Sequence, residues 1–182
     1  MKRLVIGIAL LSLTGCGYNR IQTLDEQVEA FKGQIEVQLQ RRNDLIPNLV
    51  ATVRGIAAQE QEVFTAVADA RSRLGGAIQS GDIAEMAQAN QGVTSALGRL
   101  LAITESYPEL RSSENFRTLQ DQLEGTENRI ATARQDYNSA VRAYNAYIRR
   151  FPAVLTAKAT GADAHDYFEA EEGAREAPKV EF

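Results

Sequence analysis

Phe116, Leu123, Ile130, Tyr137, Tyr144 and Phe151 stand seven residues apart without a slip. Seven residues are two helical turns, so an apolar stripe of this length is one face of a long helix. A companion register runs through Leu119, Thr126, Ala133, Ala140 and Tyr147. Large residues facing small ones suit close helix packing. Ser112 or Ser113 can cap the start, and Pro152 closes the end. The aromatic stripe could be read as a ligand box, but heptad spacing alone accounts for it as core.

Two earlier segments carry the same period. In the first, one register runs Ile35, Arg42, Leu49, Ile56, Val63, Ala70, and the other Leu39, Ile46, Val53, Glu60, Val67, Leu74. Thr23-Leu24-Asp25-Glu26 has the form of a capping box, which predicts a helix start at about Leu24. Gly75-Gly76 and Ser80-Gly81 are its stop signals. Pro47 conflicts with this pattern, because an interior proline costs about 3 kcal/mol. The heptad phase nevertheless passes through it unshifted, as expected of a kinked helix. A break at 43–47 would instead divide the segment in two. The second segment opens with Asp82 and Glu85 and has Ile83, Met86, Asn90, Val93, Leu97, Leu100 and Thr104 as its seam. Tyr107 precedes Pro108 and so avoids helical angles. Short links make neighbouring helices antiparallel. The expected fold is therefore all-α, an antiparallel helical bundle. The absence of tryptophan and a count of four prolines in 182 residues agree with it.

The N-terminus bears on location. Lys2 and Arg3 precede ten apolar residues, Leu4 to Leu13. As a helix these rise roughly 15 Å, about half of a bilayer core, which suits a signal peptide better than a spanning helix. Leu13-Thr14-Gly15-Cys16 follows and resembles the bacterial lipoprotein box. Cys16 is the only cysteine, so it has no disulfide partner within the chain, and the expectation is that it carries lipid. A signal-anchor helix with an incidental cysteine is the competing reading. Stable anchoring takes two acyl chains, since one binds only marginally. Charge is uneven: residues 163–182 hold seven acids against Arg175 and Lys179, a net of −5, which leaves +1 of the total −4 for the rest. No basic patch argues for nucleic acid.

Several stretches together resemble one family. "EVQLQRRNDLIPNLVATVRG" (Glu36 to Gly55), "YPEL" (Tyr107 to Leu110), "NFRTLQDQLEGTENRIATAR" (Asn115 to Arg134), "YN" at Tyr137 and Tyr144, and "FP" at Phe151 are similar to the LemA family. The resemblance implies an antiparallel four-helix bundle in a membrane-associated or extracytoplasmic protein. Its fourth helix would come from a break near Pro47 or from the piece after Pro152. No catalytic residues are defined by the resemblance, and none is carried across. Many such proteins have a longer apolar N-terminus that could span a membrane; here the lipoprotein-like reading is the stronger one.

The remaining candidates are few. A di-iron bundle site needs Glu-x-x-His from two helices, whereas His165 is the one histidine. "DAHD" at Asp163 to Asp166 reads as a solvated polar segment, so no metal, cofactor or catalytic residue is expected. Arg42 and Glu60 sit on seam positions, where a charge must be paired or reach solvent. They lie roughly 27 Å apart in a straight helix. Either another helix satisfies each and so fixes register, or Arg41, Arg42 and Asp44 border a partner-binding groove. In the tail, Val180 and Phe182 form an apolar-x-apolar terminus that a strand-adding pocket could take, or they fold back on the bundle.

The chain is thus expected to divide into residues 1–15, a lipoprotein-type signal peptide; 16–23, a lipidated linker; 24–161, the helical bundle; and 162–182, an acidic tail. The functional expectation is a non-enzymatic adaptor or scaffold in the cell envelope. Lipid (palmitate among it) on Cys16 would hold it to the cell membrane or outer membrane on the extracytoplasmic side, next to an unidentified envelope protein. Arg41, Arg42, Asp44, Glu60, Val180 and Phe182 are the candidate partner-binding residues. The alternative is an accessory subunit of a membrane enzyme with a small-ligand pocket of its own.

Overall fold

A computed structural model describes the backbone of residues 2–169 and the side chains of residues 17–169. The expectations for the signal segment, the Cys16 side chain, Val180 and Phe182 lie outside those described residues. Within them the chain is all-α: α1 (Lys2–Arg54), α2 (Gln61–Ser80), α3 (Ile83–Ile103), α4 (Pro108–Ser112), α5 (Glu114–Ile148) and α6 (Ala153–Thr160), with no strand among the described residues.

Two compact units divide the chain. The first takes α1 as far as Glu36 together with Ala131–Tyr167, and the second takes Val37–Ile130 with Phe168. In the first, Ile21, Leu24, Val28 and Ile35 of α1 are buried, as are Tyr137, Val141, Tyr144 and Ile148 of α5 and Ala153 and Ala157 of α6. In the second, the core holds Leu39, Ile46, Leu49 and Val53 of α1, Phe64, Val67 and Leu74 of α2, and Phe116 and Leu123 of α5. The whole α3 seam, from Ile83 to Thr104, is buried there too, and α2 packs on α3.

Several local expectations hold and others change. Asp82 caps α3, its carboxylate accepting from the N–H groups of Ala84 and Glu85 at 2.8 and 2.9 Å. Ser113 Oγ accepts from Phe116 N–H at 3.4 Å at the start of α5. Gly81 ends α2 at φ 69°, a left-handed angle that glycine adopts without steric cost. The Thr23 capping box does not form. Residues 17–23, expected as a linker, lie inside α1, and Thr23 Oγ1 bonds back to the Asn19 carbonyl at 2.8 Å. A threonine hydroxyl serves either purpose, and the buried Ile21 and Leu24 carry the helical pattern upstream.

The break in the first segment falls at 55–60 rather than at Pro47, and it supplies the fourth long helix. Pro47 sits within α1. Its missing N–H would have bonded to the Asn43 carbonyl, and Arg71 Nε of α2 donates to that carbonyl instead at 3.3 Å. A tertiary donor thus offsets what the proline removes. The turn begins at Gly55 and shifts one register. Ala57 and Phe64 enter the core in place of Ile56, which is exposed, and Val63, which is half-buried. At the far end of the heptad stripe Phe151 is 81% exposed, because α5 has already ended at Ile148.

Candidate interaction surfaces and buried polar clusters

In the second unit the seam charge Arg42 finds partners on two other helices. Arg42 is 4% exposed. Its Nη1 donates to Asn90 Oδ1 of α3 at 2.6 Å and lies 2.6 Å from Glu127 Oε2 of α5. Burial lowers the Arg42 pKa, and the Glu127 carboxylate opposes that fall. The cluster is incompletely satisfied, since Arg42 Nε and Asn43 Oδ1 make no hydrogen bond. Arg41 and Asp44 are exposed on the opposite side of α1. The three residues proposed as one groove therefore divide between core and surface. What lies beside Arg41 and Asp44 is a shallow strip of α1 alone, with Val37, Gln40, Leu45 and Asn48.

Glu60 occupies the turn instead of a helix interior. Its Oε1 accepts from the Tyr107 hydroxyl at 3.2 Å, and Gln59 Nε2 donates to the same phenol oxygen. Partial burial first, and then Glu60, raises the Tyr107 pKa. The pre-proline residue thus ties the α1–α2 turn to the start of α4.

In the first unit a strap of irregular chain follows α6. Gly161, at φ 70°, reverses α6 while Ala162 N–H bonds to the Ala157 carbonyl at 3.0 Å, a Schellman-type end. The strap then docks by its backbone. Asn145 Nδ2 donates to the His165 carbonyl at 2.8 Å, and Asn145 Oδ1 accepts from His165 N–H at 2.9 Å. The Tyr137 hydroxyl donates to the Asp166 carbonyl at 2.8 Å. His165 Nε2 lies 2.6 Å from Asp25 Oδ1 of α1, and its ring sits 4.7 Å from that of Tyr144, tilted 58°. Burial first, then Glu29 and Asp166, pushes Tyr137 up to about 12. Tyr144 is raised as well, by burial and then by Asp25 and Asp163.

"DAHD" is therefore docked through its backbone and His165, while Asp163, Ala164 and Asp166 stay exposed as expected of a polar segment. The signal that could have shown it was the doubled "YN", since Tyr137, Tyr144 and Asn145 all serve the strap. Glu127 carried no sequence signal, because its spacing to Arg42 is set only by folding. Asn90, a polar residue on the α3 seam, did.

Besides that strip of α1, the described residues of the second unit border two further concavities. An open groove of about 730 Å³ runs between α2 and α3, floored by Ala66, Ala70, Ala77, Ala89, Gly92 and Ala96. Asp69, Arg73, Glu85 and Arg99 edge it. A smaller hollow of about 260 Å³ beside Pro47 is lined by Ile46, Val50, Ala51, Phe64 and Val67 and rimmed by Arg54 and Arg71. The Arg54 guanidinium stands 4.9 Å over the Phe64 ring. Among the described residues, no helix is long and apolar enough to cross a membrane.

The chain belongs to the LemA family, whose model matches residues 31–182. Two relatives in Paramagnetospirillum magneticum (strain AMB-1), magnetosome proteins MamQ 1 and MamQ 2, are each 31% identical over 185 residues, covering 89% of this chain and 68% of theirs. The magnetosome protein MamQ of Magnetospirillum gryphiswaldense (strain MSR-1) is 30% identical over 195 residues, covering 91% of this chain and 72% of its own.

Proposed function

We propose that this protein is a lipid-anchored, membrane-associated adaptor of the cell envelope that holds a helix of a partner protein and catalyses no reaction. The observation that carries the reading is the groove between α2 and α3. It is open and long, with alanine and glycine along its floor and charges of both signs along its edges. Small residues let another helix approach closely, and mixed edge charges set its register. Membership of the LemA family and similarity to magnetosome proteins support membrane association. Cys16 in its lipoprotein-like box supplies the tether on the extracytoplasmic side. Cys16→Ser is expected to release the protein from membranes; continued membrane retention without acylation counts against the tether.

The groove is tested by filling it. A Cβ at Gly92 would meet nothing within 4 Å, and Gly92 lies inside α3, so Gly92→Leu is expected to keep or raise the melting temperature. A partner purified with the native protein from its own membranes is expected to be lost from this variant. Retention of that partner by Gly92→Leu overturns the groove. The second reading, an accessory subunit with its own ligand, rests on the hollow beside Pro47. At about 260 Å³ it falls just below the usual ligand range of roughly 300–1,000 Å³. A small apolar metabolite that raises the melting temperature would favour that reading.

A further inference from the structure

Arg149, Arg150, Phe151, Leu155 and Lys158 are all exposed, and Phe151 and Leu155 are the large apolar side chains among them, at 81% and 61%. Leu155 and Lys158 are spaced three apart on one side of α6. Phe151 stands in the turn just before that helix, where the Val154 N–H bonds to the Arg150 carbonyl at 2.8 Å. Ala153 and Ala157 form the opposite, buried side. Two exposed apolar groups four residues apart in the chain, flanked by three cations, have the composition of a segment lying in a lipid–water interface.

Its position points the same way. A Cβ on Gly17 of α1 would meet Thr156 Oγ1 of α6 at 3.3 Å. The patch therefore adjoins the residue next to Cys16, and the exposed Tyr18 follows at once. We propose that the α6 edge, Arg149 to Lys158, is a second membrane contact that sits on an anionic phospholipid surface beside the Cys16 tether. Phe151 and Leu155 enter the headgroup layer, while Arg149, Arg150 and Lys158 pair with lipid phosphates. This extends the proposed anchoring at Cys16 by a surface that orients the tethered chain.

The chain has no tryptophan, so Phe151→Trp introduces a single indole reporter. The full-length variant is mixed with vesicles of phosphatidylcholine, with and without phosphatidylglycerol, some carrying brominated acyl chains. Flotation reads attachment, and indole emission reads the α6 edge. In anionic vesicles the emission is expected to move to the blue and to be quenched by bromine. Arg149→Glu with Arg150→Glu is expected to abolish both effects while the chain still floats. Flotation with unshifted, unquenched emission overturns the α6 contact alone. Failure to float overturns the contact and the tether together. Flotation of Cys16→Ser as efficient as that of the acylated chain, with the indole quenched, overturns the tether and supports the contact.

Discussion

The two units each contain a polar cluster, and the clusters differ in kind. In the second unit Arg42 occupies a core position and places its charge between Asn90 and Glu127, with one nitrogen left unpaired. In the first, Asn145, Tyr137 and Asp25 hold a strap that has no regular secondary structure of its own, and two of the three act through its backbone. A buried charge has no solvent to fall back on, so its partners carry the full consequence of their loss. The strap lies part-way into solvent, and water can replace what a mutation removes. The first cluster is a constraint on packing, whereas the second is a clasp on irregular chain.

Substitutions that remove partners would break or sharpen that contrast. Arg42→Ala leaves Asn90 Oδ1 without its donor and Glu127 without its ion-pair partner, and is expected to cost about 3 kcal/mol in chemical denaturation. Arg42→Met with Asn90→Leu and Glu127→Met removes all three polar groups and should recover most of it. If Arg42→Ala proves neutral while a partner protein is lost, Arg42 acts in recognition and the contrast fails. Asn145→Ala removes two hydrogen bonds to His165 at once and should cost about 1–3 kcal/mol. Its effect should appear as faster amide exchange confined to the strap; exchange rising equally in α2 and α3 would deny the clasp.

Tyr137→Phe removes one hydrogen bond, worth about 1 kcal/mol at neutral pH, and it changes the alkaline limb as well. The folded state holds the Tyr137 proton more tightly than the unfolded chain does, with a pKa of about 12 against the ordinary 10.0. Its stabilising contribution is therefore complete below pH 10 and declines as pH rises towards 12. Denaturation midpoints across that window should fall less steeply for Tyr137→Phe than for the native chain. Parallel slopes would show that the phenol is solvated. Asp25→Asn should have the smallest effect, under about 1 kcal/mol, because the Asp25–His165 pair is partly open to water. A larger loss would place this pair in the same class as the Arg42 cluster.

The helical class was legible because the heptad spacing admits little else. The α3 seam was readable residue by residue, from Ile83 to Thr104. The stripe of α5 was readable as far as Tyr144 and failed at Phe151, where the helix had already ended. The α1–α2 break was harder to see, since apolar residues continue through Ile56 and Val63. Only the packing of Ala57 and Phe64 shows that one register has slipped. Of the candidate site, the charge at Arg42 stood out on its seam, but its division from Arg41 and Asp44 did not. Three residues close in sequence on a helix look like one cluster on paper and point to different sides in space.

What the amino-acid sequence determined by itself was local and periodic: helix as the class, Asp82 and Ser113 as caps, Gly81 as an end, and a tyrosine-rich face on α5. These depend on interactions within a few residues, where dihedral preferences and near-neighbour hydrogen bonds decide the outcome. Tertiary structure decided the rest. It supplied Arg71 to the carbonyl freed by Pro47, Glu127 and Asn90 to Arg42, and Asn145 to the strap at His165. Each of these joins groups distant in the chain, and such pairs form only after separate helices have been brought together by burying their apolar faces.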